Sequence, residues 1–136
     1  MKAIMTGAFM GLSVTAAGAA AVDYLSANNL LPACKAIVGS KGVIKSSNLQ
    51  KAHDVGFCSA TLSTLLSLGR AQMLDDQFGC MQVPPEVSPD QVAQIVVRYV
   101  EARPQRMQEP LIWLALEAIQ EAWPCTPDFD SRFRGK

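Results

Sequence analysis

Two amphipathic segments that lie between two cysteines constrain the fold of this chain more than any other feature. The first segment opens with Ser88, Pro89 and Gln91, which match an N-terminal capping box with proline at the first helical position. Apolar residues then recur at the spacing of a single helical face until Pro104, which cannot continue a helix. The pattern therefore predicts a helix over residues 89–102.

The second segment has the same apolar spacing and is bounded by Pro110 and Pro124. The linker between the two predicted helices is short, so we expect the helices to run antiparallel. This arrangement brings Cys80, which precedes the first helix, beside Cys125, which follows the second. A disulfide between them would stabilise the fold by about 4 kcal/mol, because it lowers the conformational entropy of the unfolded chain.

Two more helical patterns precede this hairpin. A short helix carries Cys34 and ends near Gly39. A longer helix is predicted over residues 48–74, with Ser47 opening a second capping box. Small residues at positions 56–61 predict that another backbone approaches the longer helix closely there. No stretch alternates like a β-strand, so the sequence predicts an all-α fold, a small four-helix bundle with disulfide-stapled helical hairpins.

The four cysteines are an even number, as expected for disulfides in an oxidising compartment. Antiparallel packing of the first two helices would place Cys34 beside Cys58. We therefore predict a Cys34–Cys58 disulfide in addition to the one between Cys80 and Cys125. A bond between Cys58 and Cys80 is the main alternative, since four cysteines allow three sets of pairs.

The N-terminus has the pattern of an export signal. Lys2 is followed by a run of apolar and small residues up to Ala21, which predicts a signal peptide over residues 1–21 with cleavage near Ala21. An uncleaved membrane anchor is the alternative, but the run is rich in Gly and Ala, which disfavours stable insertion. The remaining length fits one domain, predicted over residues 22–125, and a C-terminal tail over residues 126–136.

Charge and motif content exclude several classes of function. The chain has 12 basic and 12 acidic side chains and no basic block, which makes nucleic acid a poor partner. His53 is the single histidine, and it lies beside Asp54 in the first turns of a helix, where a solvated side chain is the usual case. Neither a nucleophile motif nor closely spaced metal ligands occur. The sequence therefore predicts a protein that is not an enzyme and needs no metal or cofactor.

Two features are candidates for binding a partner. Trp113 and Trp123 lie off the main apolar face of the last helix, so they either complete the core of the monomer or form a contact surface. The turn over residues 104–110 is polar and bracketed by prolines, which lowers the entropic cost of ordering it in a complex.

Motifs in the second half of the chain are similar to those of a known family. They are Phe78-x-Cys80-x-x-x-Pro84, Gln91-Val92, Val96-Val97-Arg98-Tyr99-Val100-Glu101, Pro104, Pro110 and Glu121-Ala122-Trp123-Pro124-Cys125. Over residues 78–125 the chain resembles the Rap/Tai-type immunity proteins, with weaker similarity around Cys34 and Cys58. It departs from that pattern at Arg103, where the family usually has a histidine before the proline.

The resemblance implies a small exported helical protein that protects a bacterium from peptidoglycan amidases delivered by the type VI secretion system. Such a protein would form a homodimer in the periplasm and block the amidase by placing a helix or loop in its catalytic cleft. We expect the turn to be the inserted element, with Arg106, Met107, Gln108 and Glu109 as partner-binding residues. The alternative is a periplasmic interaction or envelope-stress protein that has the same fold and no amidase partner.

Overall fold

The helices of the structure follow the predicted order. The computed structural model describes residues 25–40, 47–71 and 80–126. In these ranges α1 packs against α2 and α3, and α3 packs against α4. The elements are α1 (Ala27–Ile37), α2 (Leu49–Ala71), α3 (Pro89–Glu101), a 3-10 helix (Pro104–Arg106) and α4 (Leu111–Ala122). The predicted all-α four-helix bundle is confirmed.

Some of the predictions concern residues outside these ranges. The predicted signal peptide over residues 1–21 lies outside the described residues, and so does the predicted tail from residue 127 onward. The end of the predicted second helix, residues 72–74, is also outside them. Of the helices that are described, none is both long and apolar enough to cross a membrane.

Side-chain caps determine where two of the helices begin. At α3 the backbone N–H of Gln91 donates to Ser88 Oγ at 3.2 Å, and the N–H of Ser88 donates to Gln91 Oε1 at 2.8 Å, which confirms the predicted capping box. The cap of α2 differs from the prediction, which placed it at Ser47. Asn48 Oδ1 accepts a hydrogen bond from the N–H of Lys51 at 3.0 Å, because Asn48 directly precedes the first helical residue.

Two disulfides join the helices in the predicted pairs. Cys34 of α1 is bonded to Cys58 of α2, with 5.5 Å between their Cα atoms. Cys80 is bonded to Cys125, with 5.6 Å between their Cα atoms. The alternative bond between Cys58 and Cys80 is therefore wrong. Cys34 and Cys58 are fully buried, whereas Cys80 and Cys125 are partly exposed.

The core is formed by aliphatic side chains, and α3 and α4 contribute many of them. Val92, Val96 and Val100 of α3 and Leu114 and Ile119 of α4 are completely buried. Their spacing is the apolar face that the sequence displays. Burial of each such side chain stabilises the fold by roughly 1.5–3 kcal/mol relative to leaving it in water, so this core is the main source of stability.

Close backbone approach to α2 occurs at two places, one of which the sequence predicted. Within residues 56–61 the disulfide at Cys58 brings α1 close, but Gly56 is exposed and a Cβ placed on it would have no atom within 4 Å. At Gly69 a Cβ would lie 2.6 Å from Val83 Cγ2. The N–H of Val83 also donates to the Gly69 carbonyl at 3.4 Å. The absence of a side chain therefore matters at Gly69, where the segment that leads into α3 crosses α2.

Candidate functional site

The segment that joins α3 to α4, residues 104–110, is called the α3–α4 turn below. It starts with the 3-10 helix, whose first residue is Pro104. The N–H of Arg106 donates to the carbonyl of Arg103, and the N–H of Glu109 donates to the carbonyl of Arg106, both at 2.9 Å. These bonds satisfy backbone groups inside the turn. The turn therefore has a defined backbone shape before its side chains are considered.

The N-terminus of α1 anchors the turn from another direction. Ser26 occupies the N-cap position of α1, but its side chain makes no capping hydrogen bond. Instead, the N–H of Ala27 donates to the carbonyl of Glu109 at 2.9 Å, and the N–H of Asn28 donates to the carbonyl of Met107 at 2.7 Å. The turn thus satisfies two N–H groups that the first turn of a helix leaves without intrahelical partners.

Arg106 connects the turn to α4 through two carboxylates. Its Nε and Nη2 atoms donate to the two oxygens of Glu109 at 2.7 and 2.6 Å. The same guanidinium donates to Glu117 of α4, with Nη2 at 2.9 Å from Oε1 and Nη1 bonded to Oε2. Bidentate pairs between arginine and carboxylate fix orientation as well as distance. Movement of the turn relative to α4 would break the two bonds to Glu117.

Tyr99 and Arg103 bring α3 into the same network. The Tyr99 hydroxyl donates to Glu117 Oε2 at 2.7 Å. The Arg103 guanidinium stacks 3.6 Å from the centre of the Tyr99 ring, and its Nη2 donates to Glu121 at 3.2 Å. Stacking of a cation on an aromatic ring adds to the charge-assisted hydrogen bonds. One connected set of polar contacts therefore holds α3, α4 and the turn.

These contacts change the pKa values of the residues that form them. Hydrogen bonds from Arg106 lower the pKa of Glu117 from its ordinary value of 4.5 to about 2, and they also lower the pKa of Glu109. Hydrogen bonds to Glu117 and Glu109 raise the pKa of Arg106. Burial and the hydrogen bond to Glu117 raise the pKa of Tyr99. At neutral pH both carboxylates are ionised and accept hydrogen bonds, and Tyr99 is protonated and donates one to Glu117.

Comparison with known proteins identifies the family of this chain. The family model described as Rap1a immunity proteins matches residues 26–125, which is more than half of the sequence. The chain belongs to the Rap1a immunity protein family. Curated proteins and solved structures gave no match.

The Rap1a match covers all four helices and both disulfides. Family membership supports an immunity role, in which the protein binds a partner effector protein. Rap1a immunity proteins are inhibitors rather than enzymes. The two disulfides and the family together indicate an exported protein.

The four residues that we expect to bind a partner differ in their surroundings within this Rap1a fold. Gln108 is exposed on the turn. Arg106 and Glu109 are partly buried and bonded to each other, and Met107 packs partly against the core. Their role in binding stays a prediction. The structure adds that three of them maintain the shape of the turn on which Gln108 is presented.

The sequence-based set does not include Tyr99, Arg103 or Glu117. A signal was available, because Glu117 and Glu121 are spaced to share one face of α4. Tyr99 lies in the last turn of α3, and Arg103 follows it by four residues, just past the end of that helix. Which arginine meets which carboxylate depends on how the two helices are aligned along each other. That alignment is set by packing between the helices, and the spacing within each helix does not reveal it.

The start of α4 presents apolar side chains to solvent. Ile112 and Trp113 are 49% and 47% exposed, whereas Leu116 is buried and Trp123 packs partly against the core. The sequence allows a tryptophan on this helix either to complete the core or to form a contact surface, and each tryptophan has one of these roles. Trp123 contributes to the core of the monomer, and Trp113 belongs to the surface.

The possible metal ligands and the single histidine are the remaining candidates for chemistry in the ranges 25–40, 47–71 and 80–126. Among these residues, no group of three or more His, Cys, Asp or Glu side chains could hold a metal ion. His53 is exposed, with its Nδ1 atom 3.4 Å from Asp54 Oδ1 on the same helix. The chemistry that the described site offers is recognition by shape, hydrogen bonds and charge.

Proposed function

We propose that this protein is a periplasmic immunity protein that binds a peptidoglycan amidase effector of the type VI secretion system and occludes its active site. Membership of the Rap1a family supports the immunity role and the existence of a partner effector. The two disulfides support export to an oxidising compartment. The motif similarity over residues 78–125 is the ground for proposing an amidase as the effector.

The main support for occlusion of the active site is that α1, α3 and α4 together anchor the α3–α4 turn. Amide groups of α1 and the Glu117 carboxylate of α4 bond to the turn directly, and the Tyr99 hydroxyl of α3 supports it by bonding to Glu117. A segment that is ordered before binding loses little conformational entropy when it enters a cleft. In this proposal the turn enters the amidase active site, with the exposed Gln108 amide making polar contacts there.

We also propose that the protein forms a homodimer, as the family resemblance implies. Ile112 and Trp113 are adjacent on α4 and each is about half exposed. Burial of such side chains between two copies would be favourable, and aromatic residues are enriched in interfaces. Sedimentation of the mature protein measures this property. A single monomeric species at micromolar concentration would contradict the proposed dimer.

Inhibition of peptidoglycan digestion tests the proposed function. The mature protein is used to capture peptidoglycan amidases from the same and neighbouring strains, and a captured amidase then digests cell wall with and without it. Gln108→Arg is compared with Ser59→Arg, which adds the same side chain at an exposed position of α2. We expect inhibition by Gln108→Arg to be at least roughly tenfold weaker, since it disrupts a central contact. Ser59→Arg should inhibit like the wild type.

Two results would contradict parts of this proposal. Equal inhibition by Gln108→Arg and the wild type, with both proteins folded by circular dichroism, would show that the turn is not the inserted element. Capture of no amidase would reject the amidase as partner. It would favour the alternative, a periplasmic interaction or envelope-stress protein with the same stapled fold.

A further inference from the structure

A groove runs between α3 and α4 beside the α3–α4 turn. Its volume is about 330 Å³, which is at the small end for binding sites and has room for one or two side chains. Ile95 of α3 with Ala118 and Ala122 of α4 form its apolar part, and the small alanine side chains leave the space open. Tyr99 and Arg103 form the part nearest the turn.

The charges that line this groove do not balance. Arg103 and Glu121 are paired, and the Arg103 guanidinium is also held against the Tyr99 ring. Arg98 lines the groove as well, and its side chain is exposed. Among the described residues, none forms an ion pair with Arg98. The groove therefore presents one uncompensated positive charge next to an apolar surface.

We propose that this groove binds an acidic segment of the partner protein, in which a carboxylate pairs with Arg98 and a neighbouring apolar side chain enters between α3 and α4. A carboxylate complements the guanidinium in both charge and hydrogen-bonding geometry. An apolar side chain would remove the exposed surfaces of Ile95 and Ala122 from water. A basic segment would instead be repelled by Arg98.

The position of the groove connects this proposal to the turn. Arg103 lines the groove and directly precedes the turn in the chain, so a protein that encloses the turn would also cover the groove. The identification of the partner as the effector rests on the proposed function. Two other occupants could supply similar chemistry: the C-terminal tail of this chain, which carries Asp128, Phe129 and Asp130, and a second copy of the protein.

Titration of the isotope-labelled mature protein with two synthetic pentapeptides tests the groove, with binding followed by NMR. One peptide has a central phenylalanine flanked by aspartates, and the other has the same phenylalanine flanked by lysines. We expect the acidic peptide to shift the signals of Tyr99, Arg103 and Ala118, and the basic peptide to leave them unchanged. Binding should weaken as salt is added, because the charges are exposed.

Charge reversal at Arg98 provides the matched comparison. Arg98→Glu should bind the acidic peptide at least roughly fivefold more weakly, because the substitution removes the ion pair and also introduces repulsion between like charges. Lys51→Glu reverses a charge on α2 that does not line the groove, and it should bind like the wild type. Equal binding of both peptides, equal affinity of both variants, or unchanged groove signals would each overturn the proposal.

The peptide-free spectra distinguish the other occupants. If, without any peptide, the Arg98→Glu substitution shifts the signals of both the groove and the C-terminal tail, the tail is the occupant. If the groove signals of the wild type change with protein concentration, a second copy is the occupant. Either result would overturn the assignment to a partner segment. None of these readouts requires an amidase, so failure of the groove proposal remains separate from failure of the digestion assay.

Discussion

The N-terminal hairpin, α1 with α2, and the C-terminal hairpin, α3 with α4, are held together in different ways. The first is joined by a disulfide whose residues, Cys34 and Cys58, are completely buried. The second depends on the partly exposed disulfide between Cys80 and Cys125 and on the ion pairs of Arg106. Both hairpins bury aliphatic side chains, but the first is cross-linked inside the core, whereas the second is also held by directional polar contacts near the surface.

This difference shows how a small protein can combine stability with a defined binding surface. Buried contacts supply most of the stability, but they present nothing to a partner. Ion pairs near the surface add little stability, because water and salt screen them, yet they fix the orientation of the groups they join. Under the proposed function, the N-terminal hairpin is the scaffold, and the C-terminal hairpin presents the turn and the groove.

The largest expected difference between the two hairpins is in the rate at which their disulfides are reduced. A reductant reaches the bond between Cys80 and Cys125 in the native state, but it reaches Cys34 and Cys58 only after the core opens. We expect the Cys80–Cys125 bond to be reduced at least roughly a hundredfold faster than the Cys34–Cys58 bond, since opening of a core costs several kcal/mol. Dithiothreitol treatment, alkylation and peptide mass mapping measure both rates.

The same measurement in denaturant is the control. Both bonds are then accessible, and their rates of reduction should be similar. Equal rates in the native protein would show that the two disulfides are equally protected. That result would remove the distinction between a hairpin with a buried disulfide and one with a partly exposed disulfide.

A pair of glycine substitutions tests the contact between α2 and the segment that leads into the C-terminal hairpin. Gly69→Ala places a methyl group 2.6 Å from the stiff, buried side chain of Val83, and we expect it to lower the free energy of unfolding by about 1–3 kcal/mol. Gly56→Ala adds the same methyl group on the exposed side of α2. It should raise the free energy of unfolding by about 0.5–1 kcal/mol, because alanine favours the helix.

Chemical denaturation of the two variants and the wild type provides the comparison. Similar effects of Gly69→Ala and Gly56→Ala on the free energy of unfolding would mean that the segment around Val83, which crosses α2, moves aside easily. The two halves of the molecule would then be less tightly coupled than the packing at Gly69 indicates.

The smallest expected effect is the pH dependence contributed by Glu117. Because its pKa is about 2 in the folded protein and ordinarily 4.5, the unfolded state binds this proton more readily than the folded state. The stabilisation is therefore complete well above pH 4.5 and is lost as the pH falls through 4.5 towards 2. The Glu117 side chain is 41% exposed, so solvent screening reduces the expected contribution to about 1 kcal/mol.

Denaturation of the wild type and Glu117→Gln across this pH range measures the contribution. The variant should be less stable at neutral pH, and the difference should disappear as the pH approaches 2. Glu101→Gln removes a half-exposed ion pair with Lys35 and is the matched control, with a smaller expected loss at neutral pH. A Glu117→Gln variant as stable as the wild type at neutral pH would show that the network does not stabilise the turn.

Much of the fold could be predicted because its signals are local. The capping box of Ser88 and Gln91 and the proline at position 104 act within one turn of helix, so the sequence places the limits of α3 within a residue. Short linkers imply antiparallel neighbours, and that inference led to the correct disulfide pairs. The cap at Asn48 was harder to assign, because Ser47 beside it is an equally suitable residue type.

The sequence by itself predicted the four helices, the position of the turn and the two disulfides, although it left a bond between Cys58 and Cys80 open as an alternative. Only the tertiary structure decided that Arg106 joins Glu117, that Gly69 lies against Val83 and that Arg98 borders a groove. The reason is physical: the 3.6-residue period determines which side chains share a face of one helix. Contacts between helices depend on how far each helix is shifted and rotated against its neighbours, and the packing of the whole core sets those positions.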